Sequence, residues 1–544
     1  MQVPILSPRL ACSIFSVAKK PFLLILMIRI YNTLSKSKEV FEPVQPGKVG
    51  IYLCGPTVYK PSHIGHMVGP VIFDTIKRYL VHCGYDVAFV INVTDVDDKL
   101  IGEANVRKMS MAAVAEEMTA DYMRNLDAMG IDGVDHFPKA TEHIGNIIRF
   151  VEDLIAKGFA YESKGDVYFD VQKFPEYGKL SHRTLAQMLG EGGSTVDRKQ
   201  SSCDFALWKT AKSGEPSWDS PWGKGRPGWH IECSVMSREI LGETFDIHGG
   251  GLDLVFPHHE NEIAQSECRH GKPMAKYWLH NGLMQASSEV GKVGGRNTRT
   301  AEEGNLDSQE AGKISKSKGS SAFRDLLKQF DPELIRFFIL STHYRRPIDY
   351  SFERLEQVGT SLEAFRRFFK RYHRITGDDF YATATPRTRA EGDFDPHSDL
   401  RSDPLLALVH EYRNKFFEAM DDDFNTGGAI GFLFDLLRVL NKYADEHELD
   451  GVKNALEPVV WPLVHGTTVL RELCLTLGLF QREPAQKATG QNDETVQKLM
   501  SLIIELRAAA RKNKDFATAD RIRAALAEVG ITIEDRPGGT EWHR

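Results

Sequence analysis

Val49-Gly-Ile-Tyr-Leu-Cys54-Gly-Pro-Thr-Val-Tyr-Lys-Pro-Ser-His63-Ile-Gly-His66 is the stretch from which the fold is read. Its first five residues form an apolar run that reads as a strand. A Gly-Pro turn follows, and residues 70–82 then place Val71, Ile72, Ile76, Tyr79 and Leu80 at helical spacing. A strand, a glycine-containing turn and a helix start present backbone N–H groups and a helix dipole to a phosphate. This turn also carries two imidazoles and, just before them, a thiol, which is a soft metal ligand.

Outward from it the pattern alternates. Tyr85-Asp-Val-Ala-Phe-Val-Ile-Asn92 predicts a second strand, followed by a long helical region over about 100–129. Ile144, Ile147, Ile148, Val151, Leu154 and Ile155 predict a helix stopped near Gly158. Strands alternating with helices predict parallel βαβ units and an α/β, Rossmann-type doubly wound sheet. Residues 160–225 change character. Asp166-Val-Tyr-Phe-Asp-Val171 reads as a strand within a Gly-, Ser- and Trp-rich stretch, which looks like an insertion between two halves of one domain. The α/β pattern returns at 228–283, a polar Gly/Ser-rich loop covers 285–312, and 320–345 reads as helical. Linker-like stretches at 376–403 and 484–492 flank helices over 404–480, and a small unit with a basic helical stretch (Arg507 to Arg523) ends the chain.

Composition bounds the function. The 544 residues are 42% hydrophobic and 26% charged, an ordinary globular balance with room for several cores. A net charge of -7 gives no bulk attraction to nucleic acid or to anionic membrane, so phosphate contacts must come from local basic patches. Seven widely spaced cysteines do not make a disulfide framework and point to a reducing compartment. No stretch has the ~18 apolar residues of a membrane span. Lys19 and Lys20 precede a short apolar run, without a cleavage site of small residues. Residues 1–26 are expected to be an extension or a mis-assigned start, with Met27 as the alternative first residue.

Two constellations carry chemistry. His258 and Glu262 are four apart and share a helical face, a spacing that suits two ligands of one ion but on its own reads more readily as a solvated or hydrogen-bonded polar face. Cys54 and Cys233, read alone, are better described as inert buried thiols. Together the four make a soft, anionic zinc-type ligand set, although spacing does not bring them together. The second constellation is Lys313-Ile-Ser-Lys316-Ser-Lys318. Alone it is a basic turn. Paired with His63 and His66 it places cations and imidazoles at both mouths of one sheet, where they can stabilise charge on a transferring nucleotidyl group.

Beyond these two motifs, the matching stretches are Tyr52–Tyr59, Asn92–Asp98, Asp204–Lys209, Ser220–Cys233, Phe245–Gly251, Phe256–Glu262, Met420–Asn425 and Glu534–Trp542. Through them the chain, from about Met27 to its end, resembles the class I aminoacyl-tRNA synthetases and, among them, the cysteinyl-tRNA synthetase family. The resemblance implies a catalytic domain in two halves (27–145 and 226–345) around an inserted connective domain (146–225). An all-α anticodon-binding bundle (346–483) and a small C-terminal tRNA-binding domain (490–544) would follow. It implies ATP-dependent activation of L-cysteine to cysteinyl-adenylate and transfer to tRNA-Cys, by a cytoplasmic monomer with no membrane partner. Zinc ligands fall on Cys54, Cys233, His258 and Glu262, with one Zn²⁺ per chain selecting the substrate thiol and Mg²⁺ accompanying ATP. ATP-binding positions fall on His63, Gly65, His66, Lys313 and Lys316, of which His63, His66 and Lys316 are the catalytic ones. Pocket positions fall on Thr57, Trp229, His230, His248 and His259. Lys60, Met67-Val68 and Ile314 depart from the family pattern. Two rival readings are a mycothiol-pathway cysteine ligase, which lacks the C-terminal region, and a non-catalytic tRNA-binding paralogue.

Overall fold

The structure, a computed structural model, describes residues 27–188, 198–286, 322–392, 403–451, 458–484, 492–536 and 539–543. The extension 1–26, nearly all of the polar loop 285–312 and the lysines Lys313 and Lys316 lie outside the described residues.

Four parallel strands form the central sheet: β1 (Lys48–Leu53), β2 (Asp86–Ile91), β3 (Phe245–Gly251) and β4 (Ala275–Asn281), in the order β2-β1-β3-β4. Their near-continuous apolar composition follows from burial on both faces. With a side-chain period of two, Ile51, Leu53, Phe89, Ile91, Ile247 and Leu279 enter one core. Tyr52, Val90 and Trp278, each one residue out of step with these, enter the other. Helix α1 (Gly65–His82) covers the first face, and α2 (Trp229–Leu241) and α3 (Glu260–His270) cover the second. From β1 the chain crosses to β2 on one side, while β3 lies on the other. The switch point therefore falls at the carboxyl ends of β1 and β3, where a doubly wound sheet opens a crevice. Cys54 sits there, its N–H donating to Gly249 O at 3.1 Å.

Helix α1 begins five residues earlier than its apolar spacing predicts, which brings His66 into the first turn and Pro70 inside the helix. Pro70 has no N–H to give the His66 carbonyl. The helical region expected over 100–129 is two helices, Asp98–Arg107 and Met111–Ala128. Lys108 ends the first in the left-handed region at φ 53°, and Ser110 Oγ caps the second by accepting from Ala113 N at 3.1 Å. Likewise 320–345 resolves into Phe323–Leu326 and Pro332–Leu340 among the described residues.

The insertion is a four-stranded antiparallel sheet, Ala160–Ser163, Asp166–Phe169, Phe205–Thr210 and Gly225–Pro227. Only the second strand was expected; Phe205–Thr210, although six residues long, lies in the Gly-, Ser- and Trp-rich stretch that hid it. Val167, Phe169, Leu207 and Trp208 join the second core of the central sheet.

On the opposite side, helices Phe352–Thr376, Pro404–Asp421, Thr426–Glu446 and Trp461–Thr476 pack into the first core, which runs without a break from β1 and α1 to Phe480. Two buried ionic joints cross this boundary. Arg336 donates to Asp74 of α1 at 2.5 Å and to Leu477 O at 3.0 Å. Glu472 accepts from Arg413 at 2.7 and 2.9 Å and pairs with His82 of α1 at 3.0 Å. Helices Asn492–Lys512 and Phe516–Glu528 with the hairpin Thr532–Arg536/Gly539–His543 close on a small core of their own, Met500, Leu526, Ile531 and Ile533. The basic stretch there is not wholly a solvent surface. Arg507 is buried and doubly bonded to Asp535 at 2.6 and 2.8 Å, an internal pair that its partner 28 residues away hid from a local reading.

Candidate active site

A cavity of about 420 Å³ opens at the switch point. Cys54, Cys233 and His258 line one side of it and His63, Gly65 and His66 the other, with Thr57 and Trp229 also on its walls. The division follows from the sheet. Leu53 points into the core beneath α1, so Cys54, one residue on, turns to the face of α2 and α3. The two histidines belong to the turn that enters α1 on the opposite face. Gly55 makes the connection feasible. A Cβ there would stand 1.8 Å from Asn92 O, and its N–H donates to Asn92 Oδ1 at 2.8 Å.

On the α2/α3 side four donors converge. Cys54 Sγ lies 3.8 Å from Cys233 Sγ and 3.5 Å from Glu262 Oε1, and His258 Nε2 lies 2.9 Å from the same oxygen. All four donor atoms are within 4.8 Å of one another. A tetrahedral zinc with ordinary Zn–S and Zn–O bonds has S···S edges of ~3.8 Å and S···O edges of ~3.5 Å. Those are the observed separations at Cys54, while His258 and Glu262 stand closer, at the 2.9 Å of a hydrogen bond, so the donor set fits the ion in chemistry and, at the Cys54 edges, in size. A second combination, Cys54, His248, His259 and Glu262, is equally compact. It offers one thiol rather than two, and its histidines do not line the cavity, whereas a catalytic metal needs an open position.

His248 and His259 therefore stand behind the ligands. His248 Nε2 bonds Glu262 Oε2 at 2.7 Å, its ring stacked on Trp278 at 4.5 Å. His259 Nδ1 bonds His280 Nε2 at 2.8 Å, and His280 Nδ1 bonds Thr33 Oγ1 at 2.8 Å. His230, which like His248 and His259 does not line the cavity, bonds His258 Nδ1 through its Nδ1 at 2.9 Å, and on the cavity wall Trp229 stacks on His258 with centroids 4.3 Å apart. Such outer partners fix the orientation of metal-binding groups.

Burial sets the protonation. The hydrogen bond from the Cys54 thiol pulls Cys233 down to about 6, against burial and the Glu262 charge. Burial, and that same bond, push Cys54 well up. The pair thus holds one thiolate and one thiol. Burial opposes a charge on His258, but Glu262 and Cys233 lift it to about 10. Burial also works against the Glu262 carboxylate, yet His248 and His258 hold it well below the ordinary carboxylate range. Burial, then neighbouring imidazoles, drive His230 and His259 well down and His280 down to about 3, so these three rings are neutral. A metal entering the ligand set must displace the protons of Cys54 and His258.

On the α1 side the rings of His63 and His66 stack, with centroids 3.8 Å apart. Gly65 N donates to His63 Nδ1 at 3.1 Å, and His63 N donates to His66 Nδ1 at 3.2 Å. With both Nδ1 atoms accepting, each neutral ring carries its proton on Nε2 as a donor. Lys313 and Lys316 lie outside the described residues. The chain re-enters description beside this turn, where Phe323 N donates to Ser62 O at 2.7 Å. Lys60 reaches out to Glu103 at 3.8 Å, and Met67 and Val68 are buried in the core, so none of these departures enters the ligand set.

Sequence reasoning missed His280, Asp253 and Asn281. Asp253 and Asn281 line the cavity, and both follow or end strands at the carboxyl edge, which is the signal that would have found them. Among the described residues no helix is long and apolar enough to cross a membrane.

Comparison with known proteins bears on this geometry. Residues 40–294 and 304–360 match the tRNA synthetases class I (C) catalytic domain. Residues 415–481 match the DALR domain, and 503–542 the cysteinyl-tRNA ligase anticodon binding domain. The chain is similar to the cysteine–tRNA ligase of Geobacter metallireducens, 45% identical over 527 residues, covering 95% of this chain and 99% of that protein. It is also similar to the cysteine–tRNA ligase of Geobacillus thermodenitrificans, 43% identical over 521 residues with the same coverage. Among solved structures, a Mycobacterium tuberculosis methionyl-tRNA synthetase bound by methionyl-adenylate superposes with a TM-score of 0.55 at 14% identity, over 79% of this chain and 91% of that one. A LeuRS of Agrobacterium radiobacter K84 in a ternary complex gives 0.53 at 11%, over 81% and 86%. At such identities these structures share the fold.

Proposed function

Because the chain belongs to the cysteine–tRNA ligase family, with cysteine, ATP and tRNA as its substrates, we propose that Cys54, Cys233, His258 and Glu262 hold zinc and that His63 and His66 serve the nucleotide. The observation that carries this reading is the meeting of two tetrahedral edges, 3.8 and 3.5 Å, with a stacked histidine pair in one cavity. A bound zinc would supply a borderline-soft Lewis acid that prefers thiolate to hydroxyl. That preference separates cysteine from serine, which an apolar pocket does poorly.

The chain's own residues do the rest. Trp229, over His258, closes the apolar side of the amino-acid pocket, and Thr57 bounds it near Cys54. The cysteine carboxylate oxygen attacks the α-phosphorus of ATP. A P–O bond to cysteine forms, and the bond to the leaving pyrophosphate breaks. The Nε2–H groups of His63 and His66 donate to the phosphoryl oxygens as charge builds there, while Lys313 and Lys316 meet the departing pyrophosphate with Mg²⁺. Positioning and charge suffice, since no covalent enzyme intermediate is needed. The adenylate's acyl carbon then passes to a terminal ribose hydroxyl of tRNA-Cys, releasing AMP. We further propose one zinc per chain, a cytoplasmic monomer, and tRNA contact by residues 346–483 and 490–544. Near-complete alignment with cysteine–tRNA ligases, C-terminal domains included, speaks against an aminosugar-directed cysteine ligase.

The test is ATP–pyrophosphate exchange with cysteine, with serine and with neither, before and after chelation. Exchange should require cysteine and fall below detection in Cys233→Ala. Equal exchange with serine, or full activity of metal-free protein, refutes the ligand assignment.

A further inference from the structure

A second cleft, of about 630 Å³, opens where the catalytic sheet meets the helical bundle. One wall is the segment 341–346 that follows helix Pro332–Leu340. The other is the joint 422–428 between helices Pro404–Asp421 and Thr426–Glu446, and Lys38 of the hairpin Arg29–Asn32/Ser37–Val40 closes one end. The walls are fixed to each other. Asp423, buried beneath the cleft, accepts from Tyr31 N at 2.8 Å, Tyr344 Oη at 2.9 Å and Arg345 Nε at 2.7 Å. Gly427 belongs to the closest approach, since a Cβ there would stand 3.0 Å from Ser341 O.

The charges can be counted from every side. Arg345 is balanced by Asp423 below it. His343 is held neutral by burial, which outweighs the Asp423 charge. Lys38 pairs with Asp422 at 2.6 Å on the rim, where both are exposed enough for the ammonium to change partner. Arg346 is exposed at the mouth and adds the excess positive charge. In a chain of net charge -7, such a local excess is what a phosphate contact requires.

The cleft also lies next to the active cavity. Tyr344 O accepts from Gly282 N at 2.7 Å, and Gly282 and Met284 line that cavity. Strand Met284–Ala286 then pairs in parallel with Ile348–Tyr350, just past Arg346. The C-terminal unit meets the far end of helix Phe352–Thr376, where Arg374 lies 3.9 Å from Glu541, and that helix begins six residues past Arg346, so an RNA with its 3′ end in the active cavity and its distal part on the C-terminal unit runs past the mouth of this cleft.

Resting on the ligase reading above, we infer that this cleft holds a backbone phosphate of the tRNA body, with Arg346 as its fork-shaped donor and Lys38 exchanging Asp422 for it. The test uses the full chain and a tRNA-Cys transcript, with Arg346→Glu, Arg346→Ala and Lys38→Glu, and Arg438→Glu on the bundle's exposed surface as control. Arg346→Glu should raise the KM for tRNA at least tenfold, and Arg346→Ala less. Arg346→Ala should also reduce the slope of log affinity against log salt by about one. Cysteine-dependent exchange without tRNA should stay unchanged in every variant, and Arg438→Glu should stay within twofold of the parent. A parental KM in Arg346→Glu, or an equal loss in Arg438→Glu, overturns the inference. Absence of exchange in the unaltered chain would instead refute the ligase reading beneath it.

Discussion

Replacing His248 tests whether the histidines behind the ligand set tune it. The ring is fully buried and its Nε2–H reaches Glu262 Oε2 at 2.7 Å, while Glu262 Oε1 faces Cys54 and His258. His248→Leu fills comparable volume against Trp278 but removes that donor, leaving one carboxylate oxygen buried without a partner. Loss of an outer partner of this type costs about 10- to 100-fold in metal affinity, or roughly 1.4–2.7 kcal/mol. His248→Gln keeps an N–H in reach of the oxygen and should recover most of the loss. The assay is competition for zinc against a chromogenic chelator at fixed pH, with thermal melting of the metal-loaded proteins to show that each folds. Parental zinc affinity in the folded Leu variant would refute the reasoning. So would equal losses in the Leu and Gln variants, since shape rather than the hydrogen bond would then be at stake.

Other outcomes follow from single contacts. Gly55→Ala forces a methyl against Asn92 O and should displace Cys54, so zinc per chain, measured by elemental analysis, should fall well below one even in soluble protein. Glu472→Gln removes the charge facing Arg413 inside the bundle and should destabilise by about 3–5 kcal/mol in urea titration; a change under about 1 kcal/mol would show the guanidinium finds another partner. Burial raises Glu333 from 4.5 to about 7, although it accepts from Phe480 N at 2.9 Å. The folded chain therefore keeps a proton that the unfolded chain releases, and this group's contribution to stability is lost as pH rises from about 4.5 through 7. Glu333→Gln should flatten the urea midpoint over that window, and an unchanged slope would remove Glu333 as its source.

Much of this was legible before any coordinates. The strand-turn-helix of residues 49–82 announced the sheet because both of its signals, an apolar run and a 3/4 repeat, are local. The break at Lys108–Ser110 was not read, since neither Gly nor Pro marks it and a lysine supplies the left-handed residue. Cys54 and Cys233 are 179 residues apart, so no spacing rule could join them; their chemistry suggested one set, and only resemblance assigned them to one ion. The burial of Arg507 was hidden for the same reason, because charge along a helix does not reveal a partner on a later strand. The second ionic joint of α1, His82 with Glu472, spans 390 residues and had no sequence signature at all.

That joint bears on where the chain can be cut. At 18 residues α1 is about 27 Å long. Its first turn carries His66, its middle is held through Asp74 on Arg336, and its last residue, His82, is seated on Glu472. One core continues from the sheet into the helices that follow. Truncation before residue 404 would remove Glu472 from beneath His82 and uncover Tyr79, whose ring packs on Phe417 and Phe424. The unit after 492, with a core of its own, can be removed without that cost. The working catalytic module is therefore larger than the sheet that bears its chemistry.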